Sequence, residues 1–334
     1  MHVIITIAME PKSTSLTNQS AFHATRLTPS TFLIKEYDDV YSEHPHIYAK
    51  VVPSANTILV IDTGCGGASN NPDTHIKSVR EFIETVRVEN NDNKPLNQGG
   101  RMRYVVVTTH CHYDHILGVE QFKDSPILAS SHSPAFLSEA ALPEHSLCNA
   151  LGIPTPSYKP ILIPHLSPVK STIDGGNPLG VTLLHTPGHT PDELALYDPA
   201  EKMLYVGDSL YEYEDIIFPK EGSIVEWFTS LDYLIDFVND ENQNNCNVAT
   251  EVLINSGHRT VIQPALEVLG EARAFMVQVV QETEPVKERL IVRGEDTVVY
   301  RQKGGRFSLR CPERLVEDVR QNGNWLGYMR INSP

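Results

Sequence analysis

Cysteine is scarce in this chain and not arranged for pairing. Cys65, Cys111, Cys148, Cys246 and Cys311 are an odd number, scattered over 334 residues, with no CxxC among them. That argues against a disulfide framework and points to a reducing, cytoplasmic compartment. Long apolar runs are also missing, since none approaches the roughly eighteen residues a membrane helix needs. Residues 1–8 are apolar, but they lack a basic flank and lead into Glu10, Pro11 and Lys12, so they read as a strand and not as a signal peptide. Basic residues are too few for a polyanion binder. Lys and Arg number 27 against 42 Asp and Glu, a formal charge of -15, which repels nucleic acid and anionic membranes. A small-molecule substrate, neutral or weakly charged, is the expected partner, with no nucleic acid and no membrane; a homodimer is left open.

What is present suffices for a large core, with 40% apolar residues and no need of staples. Strands are expected at residues 31–37, 46–52 and 57–61, with Pro53 to Asn56 as the turn before the last. Ile76, Val79, Phe82, Ile83 and Val86 recur at helical spacing. A strand at 104–107 and a helix beginning in 116–122 follow. Residues 131–170 contain seven prolines, from Pro134 to Pro168, and read as a lid or pocket wall. Further strands are expected at 181–184, 194–197, 203–206, 252–254 and 297–300. Helices are expected at 226–239, where Trp227 is a core residue, at 266–279 and at 312–319. This alternation is an α/β order. The division expected is a catalytic domain over 1–265, with a C-terminal extension over 266–334 packed on it.

The chemistry is concentrated in Thr108-Thr109-His110-Cys111-His112-Tyr113-Asp114-His115, directly after the strand at 104–107. Neutral imidazoles and a carboxylate at this density are ligands for zinc and other borderline divalent ions. Asp62, Gly188-His189, Gly207-Asp208 and Gly257-His258 each follow other expected strands. Functional groups gather at the carboxyl ends of strands in open α/β architectures, so these stations can converge.

The order of an early Asp, His-x-His-x-Asp-His, Gly-His, Gly-Asp and a final Gly-His resembles the metallo-β-lactamase superfamily, over roughly residues 31–260. The resemblance implies an α/β fold, a four-layer αββα sandwich with its metal site at the sheet edge. It implies two divalent metal ions, zinc first, with manganese and iron as alternatives. His110, His112 and His189 would hold one ion, Asp114, His115 and His258 the other, and Asp208 would bridge them. Hydroxide between the ions is then the nucleophile. Asp62 matches the early aspartate, which supports the ligand loop through hydrogen bonds. His185 and the histidines outside these stations are read as ordinary, and Cys111 as pointing away from the metals.

In motif detail the chain looks closest to the lactonase and glyoxalase II-like dinuclear branch. His112 stands where the oxygen-reducing diiron branch has Glu, and Asp208 where common β-lactamases have Cys. Tyr211, three residues beyond Asp208, resembles the tyrosine of acyl-homoserine lactonases and would donate to the developing oxyanion. Asp114 could shuttle a proton to the leaving atom. The expected function is hydrolysis of a small cyclic amide or ester, a lactam or lactone. Thioester hydrolysis is the alternative, followed by an iron-dependent sulfur dioxygenase.

Overall fold

The computed structural model describes residues 19–172, 175–243 and 251–321. The strand expected at residues 1–8 and Cys246 lie outside them. The first sheet has seven strands in chain order: β1 (Phe22–Arg26), β2 (Thr31–Glu36), β3 (His46–Val52), β4 (Thr57–Ile61), β5 (Arg103–Val107), β6 (Ile127–Ser130) and β7 (Ile161–Ile163). Pairing is antiparallel from β1 to β4 and parallel from β4 to β7. Every residue of β4 is buried, because the strand lies at the switch from antiparallel to parallel pairing and is covered on both faces. Ile58 and Val60 face a cluster with Val79, Phe82 and Ile83 of α1 (Val79–Thr85). Leu59 and Ile61 face the second sheet.

α1 is shorter than the apolar spacing suggests. Ser78 accepts a hydrogen bond from the Glu81 amide and caps it, which leaves Ile76 outside. The helix expected over 116–122 is two pieces, α2 (Tyr113–Ile116) and a 3-10 turn at Val119–Phe122. Gly118 lies between them, where a Cβ would fall 2.4 Å from the Thr63 carbonyl oxygen. Close contact with the loop leaving β4 breaks the helix there. Residues 131–170 fold into α3 (Leu142–His145), α4 (Cys148–Leu151), β7 and β8 (Ser167–Lys170).

After β8 come β9 (Pro178–His185), β10 (Leu194–Asp198), β11 (Met203–Tyr205), β12 (Asp215–Ile217), β13 (Leu253–Asn255) and β14 (Gln263–Pro264). All but β12 form the second sheet, in the order β14-β13-β11-β10-β9-β8. Pro168 is tolerated in β8 because β8 is an edge. Leu183, Leu194, Leu196 and Tyr205 fill the space between the two sheets with Leu59, Val105 and Val107. The opposite face, through Leu184, Ala195 and Leu204, packs on α5 (Ile224–Gln243) and α6 (Ala265–Val280). The four layers are therefore helix, sheet, sheet and helix.

β12 belongs to a third sheet, in the order β12-β17-β16-β15, with β15 (Val286–Val292), β16 (Glu295–Arg301) and β17 (Ser308–Pro312). Val298, Tyr300, Leu309 and Cys311 of this sheet share the α5 and α6 core, as does Val316 of α7 (Glu313–Gln321). Among the described residues no helix is long and apolar enough to cross a membrane. Cys65, Cys111, Cys148 and Cys311 are free and buried.

Candidate metal centre

Five strand ends deliver the site. β4 exits into Asp62, β5 into the 108–115 segment, β9 into the loop of His189, β11 into Asp208 and β13 into His258. Two glycines make the approach feasible. A Cβ on Gly257 would lie 2.2 Å from Asp208 Oδ1, and one on Gly207, whose φ is +52°, would lie 2.2 Å from Glu193 Oε1. Only a residue without a side chain lets these turns close on the carboxylates.

His110, His112 and His189 converge as one buried group, and Asp114, His115, Asp208 and His258 as a second. In the first group His112 Nδ1 stands 2.9 Å from His110 Nε2 and 3.1 Å from His189 Nε2. Nitrogens on a tetrahedral zinc stand about 3.3 Å apart, given Zn–N bonds of about 2.0–2.1 Å, so the three rings fit one small ion. The tautomer of His110 is set from behind. Thr109 gives its hydroxyl proton to Asp62 Oδ2 at 2.8 Å, so its oxygen can only accept from His110 Nδ1 at 3.2 Å. Nε2 is left as a bare lone pair facing the group. Burial first, and then the neighbouring imidazoles, push His110 well below the ordinary imidazole range and His112 down to about 3.

The second group has the opposite electrostatics. His115 Nδ1 donates to Asp62 Oδ2 at 2.9 Å, and His258 Nδ1 donates to the Glu43 carbonyl at 3.0 Å. The other nitrogens turn inward, with His115 Nε2 3.4 Å from Asp208 Oδ1 and His258 Nε2 3.2 Å from Asp114 Oδ2. Burial opposes charge on these rings, but the Asp208 and Asp114 carboxylates outweigh it and hold both well above the ordinary range. Buried His115 Nε2 and Asp208 Oδ1 have no hydrogen-bond partner. Orphaned donors aimed at one point, all nitrogen and oxygen, suit a divalent ion of the zinc, iron or manganese kind.

Asp62 joins the groups from behind. Its carboxylate accepts from the Thr109 amide at 2.7 Å as well as from the Thr109 hydroxyl and His115. Glu193 has a matching position that the sequence reading missed. Fully buried, it accepts from the Asp208 amide at 3.1 Å through Oε1, while Oε2 stands 3.5 Å from His110 Nδ1. Burial, then the Asp208 and Asp192 charges, raise its carboxyl well above the usual range. Its place within the His189 turn was the available signal. Glu36 was also missed; its oxygens accept from the Cys65 and Gly67 amides, each at 2.7 Å, which ties down the glycine loop after β4.

Tyr211 is placed differently from the expectation. Its hydroxyl donates to the Asp215 carbonyl at 3.0 Å and accepts from the Ile217 amide at 3.3 Å. The single phenolic proton is committed to the backbone of β12, so none is left for an oxyanion. Cys111 packs with Ile116, Ala129, Phe136, Leu137 and Leu142, away from the imidazoles. His185 stays outside both groups, with Nε2 2.9 Å from the Ile163 carbonyl.

The ligand groups open on a cavity of about 590 Å³. Its lining includes His112, Asp114, His189, Asp208 and His258, the apolar Ile217 and Phe218, Leu147 at the start of α4, and residues of the third sheet. Residues 51–241 match the family described as the metallo-beta-lactamase superfamily. The chain belongs to that superfamily. It is 30% identical over 312 residues, 90% of this chain and 89% of the relative, to a protein of Aspergillus versicolor that carries a transcription-factor name, avaE. It is 24% identical over 183 residues to the acyl-coenzyme A thioesterase MBLAC2 of Homo sapiens, covering 51% of this chain and 57% of that one. A metallo-beta-lactamase family protein from Thermus thermophilus shares the fold, with a TM-score of 0.54 at 17% identity over 79% of this chain and 85% of that one. Membership of this superfamily, together with the two donor groups, makes the chain a metal-dependent hydrolase in general terms.

Proposed function

We propose that this chain is a dinuclear metal hydrolase that opens a small cyclic ester or amide, a lactone or lactam. The observation that carries the reading is the pair of adjacent buried donor groups, three imidazoles beside two imidazoles and two carboxylates, facing one cavity. Bound divalent ions would supply an acidified water and Lewis-acid contact with the carbonyl. His110, His112 and His189 would hold one ion, and Asp114, His115 and His258 the other. Asp208, which gathers with the second group, would be the carboxylate shared between the ions, and Gly257 leaves room for its Oδ1. Asp62 and Glu193 orient the rings. The inner wall of Ile217 and Phe218 would bury the apolar body of a ring-sized substrate and exclude bulk water. Asp114 lies on the cavity lining and would be the carboxylate that relays a proton to the leaving atom.

Thioester hydrolysis is the second reading, favoured by the likeness to MBLAC2. A DNA-binding role, suggested by the name of the Aspergillus versicolor relative, would have to overcome a net charge of -15. The test is a panel of lactones, lactams and thioesters, assayed with zinc-loaded and chelator-treated protein. Chelator-sensitive ring opening is expected. Turnover of thioesters alone would replace the first reading with the second, and oxygen uptake with one iron per chain would end the hydrolase reading.

A further inference from the structure

The third sheet has two faces of different character. Alternation along β16 and β17 sends Val298, Tyr300, Leu309 and Cys311 into the helical core. The intervening Thr297, Arg310 and Pro312 line the metal cavity. Arg310 pairs in register with Ile217 of β12, which lines the same cavity. The cation is therefore set in a rigid sheet wall, not on a surface loop. A second guanidinium, Arg293, lines the cavity from the turn between β15 and β16.

The cavity is also rich in carboxylates, so their partners decide the balance. Glu144 and Glu221 share Lys220, at 2.6 and 3.7 Å, Glu214 is taken by Arg259, Asp215 by Arg301 at 3.6 Å and Glu295 by Arg314 at 3.7 Å, while Glu43 accepts from the Tyr113 hydroxyl. Among the described residues Arg310 and Arg293 have neither an ion pair nor a side-chain hydrogen bond. Arg310 is half-buried and lines the cavity, and it receives no anion from the protein. A guanidinium presents a planar fork of donors that matches a carboxylate or phosphate through two parallel hydrogen bonds.

We propose that Arg310 anchors an anionic arm of the substrate, a carboxylate or phosphate carried at a distance from the carbonyl that is cleaved, with Arg293 adding charge at the rim. This deepens the hydrolase reading and rests on it for the identity of the reacting group. It also replaces the expectation of a neutral or weakly charged ligand. Arg310 is a binding and specificity residue that touches no reacting atom. Loss of its charge should therefore raise KM for anionic substrates and leave kcat nearly unchanged.

The test uses the full chain, zinc-loaded and metal-free, with glutarate as the carboxylate probe and coenzyme A as the phosphate probe, titrated calorimetrically. Arg310→Gln is expected to weaken binding of the matching probe about 10-fold or more, in line with a charge-assisted bidentate contact of about 1.5–3 kcal/mol. Arg310→Lys should retain part of the binding, and Arg293→Gln should weaken it by less than Arg310→Gln does. Glutarate dependence alone assigns a carboxylate arm, and coenzyme A dependence alone a phosphate arm. If wild type, Arg310→Gln and Arg310→Lys bind both probes equally, or bind neither, the inference is overturned. Circular dichroism of each variant separates lost binding from lost folding, and Arg310→Lys keeps the charge test available if Arg310→Gln does not fold. Arg310-dependent binding without turnover of any ester, amide or thioester would keep this inference and sink the hydrolase reading. Turnover unaffected by either arginine would do the reverse.

Discussion

The two donor groups are neighbours built on opposite electrostatics. His110, His112 and His189 are held neutral by burial and mutual repulsion. His115 and His258 are held in the charged form by Asp208 and Asp114. In the metal-free chain the rings of the second group face the Asp208 and Asp114 carboxylates at 3.2–3.5 Å, although His115 Nε2 and Asp208 Oδ1 lack a hydrogen-bond partner. In the first, three rings crowd together, His112 Nδ1 standing 2.9 Å from His110 Nε2 and 3.1 Å from His189 Nε2. An ion entering the first group relieves repulsion, whereas one entering the second must displace protons. The second group should therefore support the metal-free fold, and the first should gain more from metal.

The largest expected effect comes from breaking the first group outright. His110→Ala removes one of three ligands, and its partners Thr109 and Glu193 lose the ring they orient. Loss of activity by about a thousandfold or more is expected, as for loss of an essential catalytic ion, with bound zinc falling toward one per chain. Asp114→Ala should instead empty mainly the second position. Elemental analysis of the two variants compares them directly, and equal loss of both ions in each would show that the groups do not fill independently.

Next comes stability of the metal-free protein, where the groups should respond with opposite signs. His258 has a folded pKa above the unfolded value, so its contribution is fully present below about pH 6.5 and is lost as pH rises through the folded value. His258→Gln leaves Asp114 and Asp208 short of a partner and should lower the melting point of the chelated protein clearly at pH 6. Breaking a buried pair costs about 3–5 kcal/mol. His112 has its pKa lowered to about 3, so its contribution is present above about pH 6.5 and is lost as pH falls toward that value. His112→Gln should leave the melting point unchanged at pH 7 and raise it relative to wild type at pH 5. Thermal unfolding with chelator at the three pH values checks both signs.

Glu193 offers a smaller perturbation, because it touches one member of each group. Glu193→Gln keeps its shape and its contact with the Asp208 amide, but it replaces the carboxyl group beside His110 Nδ1 with an amide. Loss of a partner behind a metal ligand weakens metal affinity about 10- to 100-fold. The loss should fall on the tighter-held ion of the first group, read by competition with a chromophoric chelator. If only the second position weakens, Glu193 acts through Asp208 and the assignment to His110 fails.

The ligand stations were legible because they sit at strand ends, where the apolar run and the polar loop announce each other. His46–Val52 and Thr57–Ile61 have the expected bounds for the same reason. Glu193 left no signal beyond its place in the His189 turn, because burial of a lone acid leaves no periodic trace and depends on which loop covers it. The third sheet was glimpsed only at residues 297–300. β15 is exposed over much of its length and shows no apolar pattern; β12 carries the apolar Ile216 and Ile217, legible as a wall in the sequence, but its pairing with β17 appears only in three dimensions. The break at Gly118 was hidden too, since it arises from a contact with Thr63 far away in the chain.

Tyr211 gives the smallest effect and the sharpest contrast with the ligands around it. It lines the cavity, and its ring lies 5.4 Å from that of His258, close enough to suggest a chemical role. Its hydroxyl, however, bridges the Asp215 carbonyl and the Ile217 amide, so what it holds is β12, and through the register of β12 with β17 it holds Arg310. Tyr211→Phe should cost about 1 kcal/mol of stability for the lost hydrogen bond and change kcat by less than about threefold. Oxyanion donors cost about a hundredfold or more when removed, so a fall of that size would return Tyr211 to the reacting carbonyl. A rise in KM confined to anionic substrates would instead trace its effect to the wall it supports.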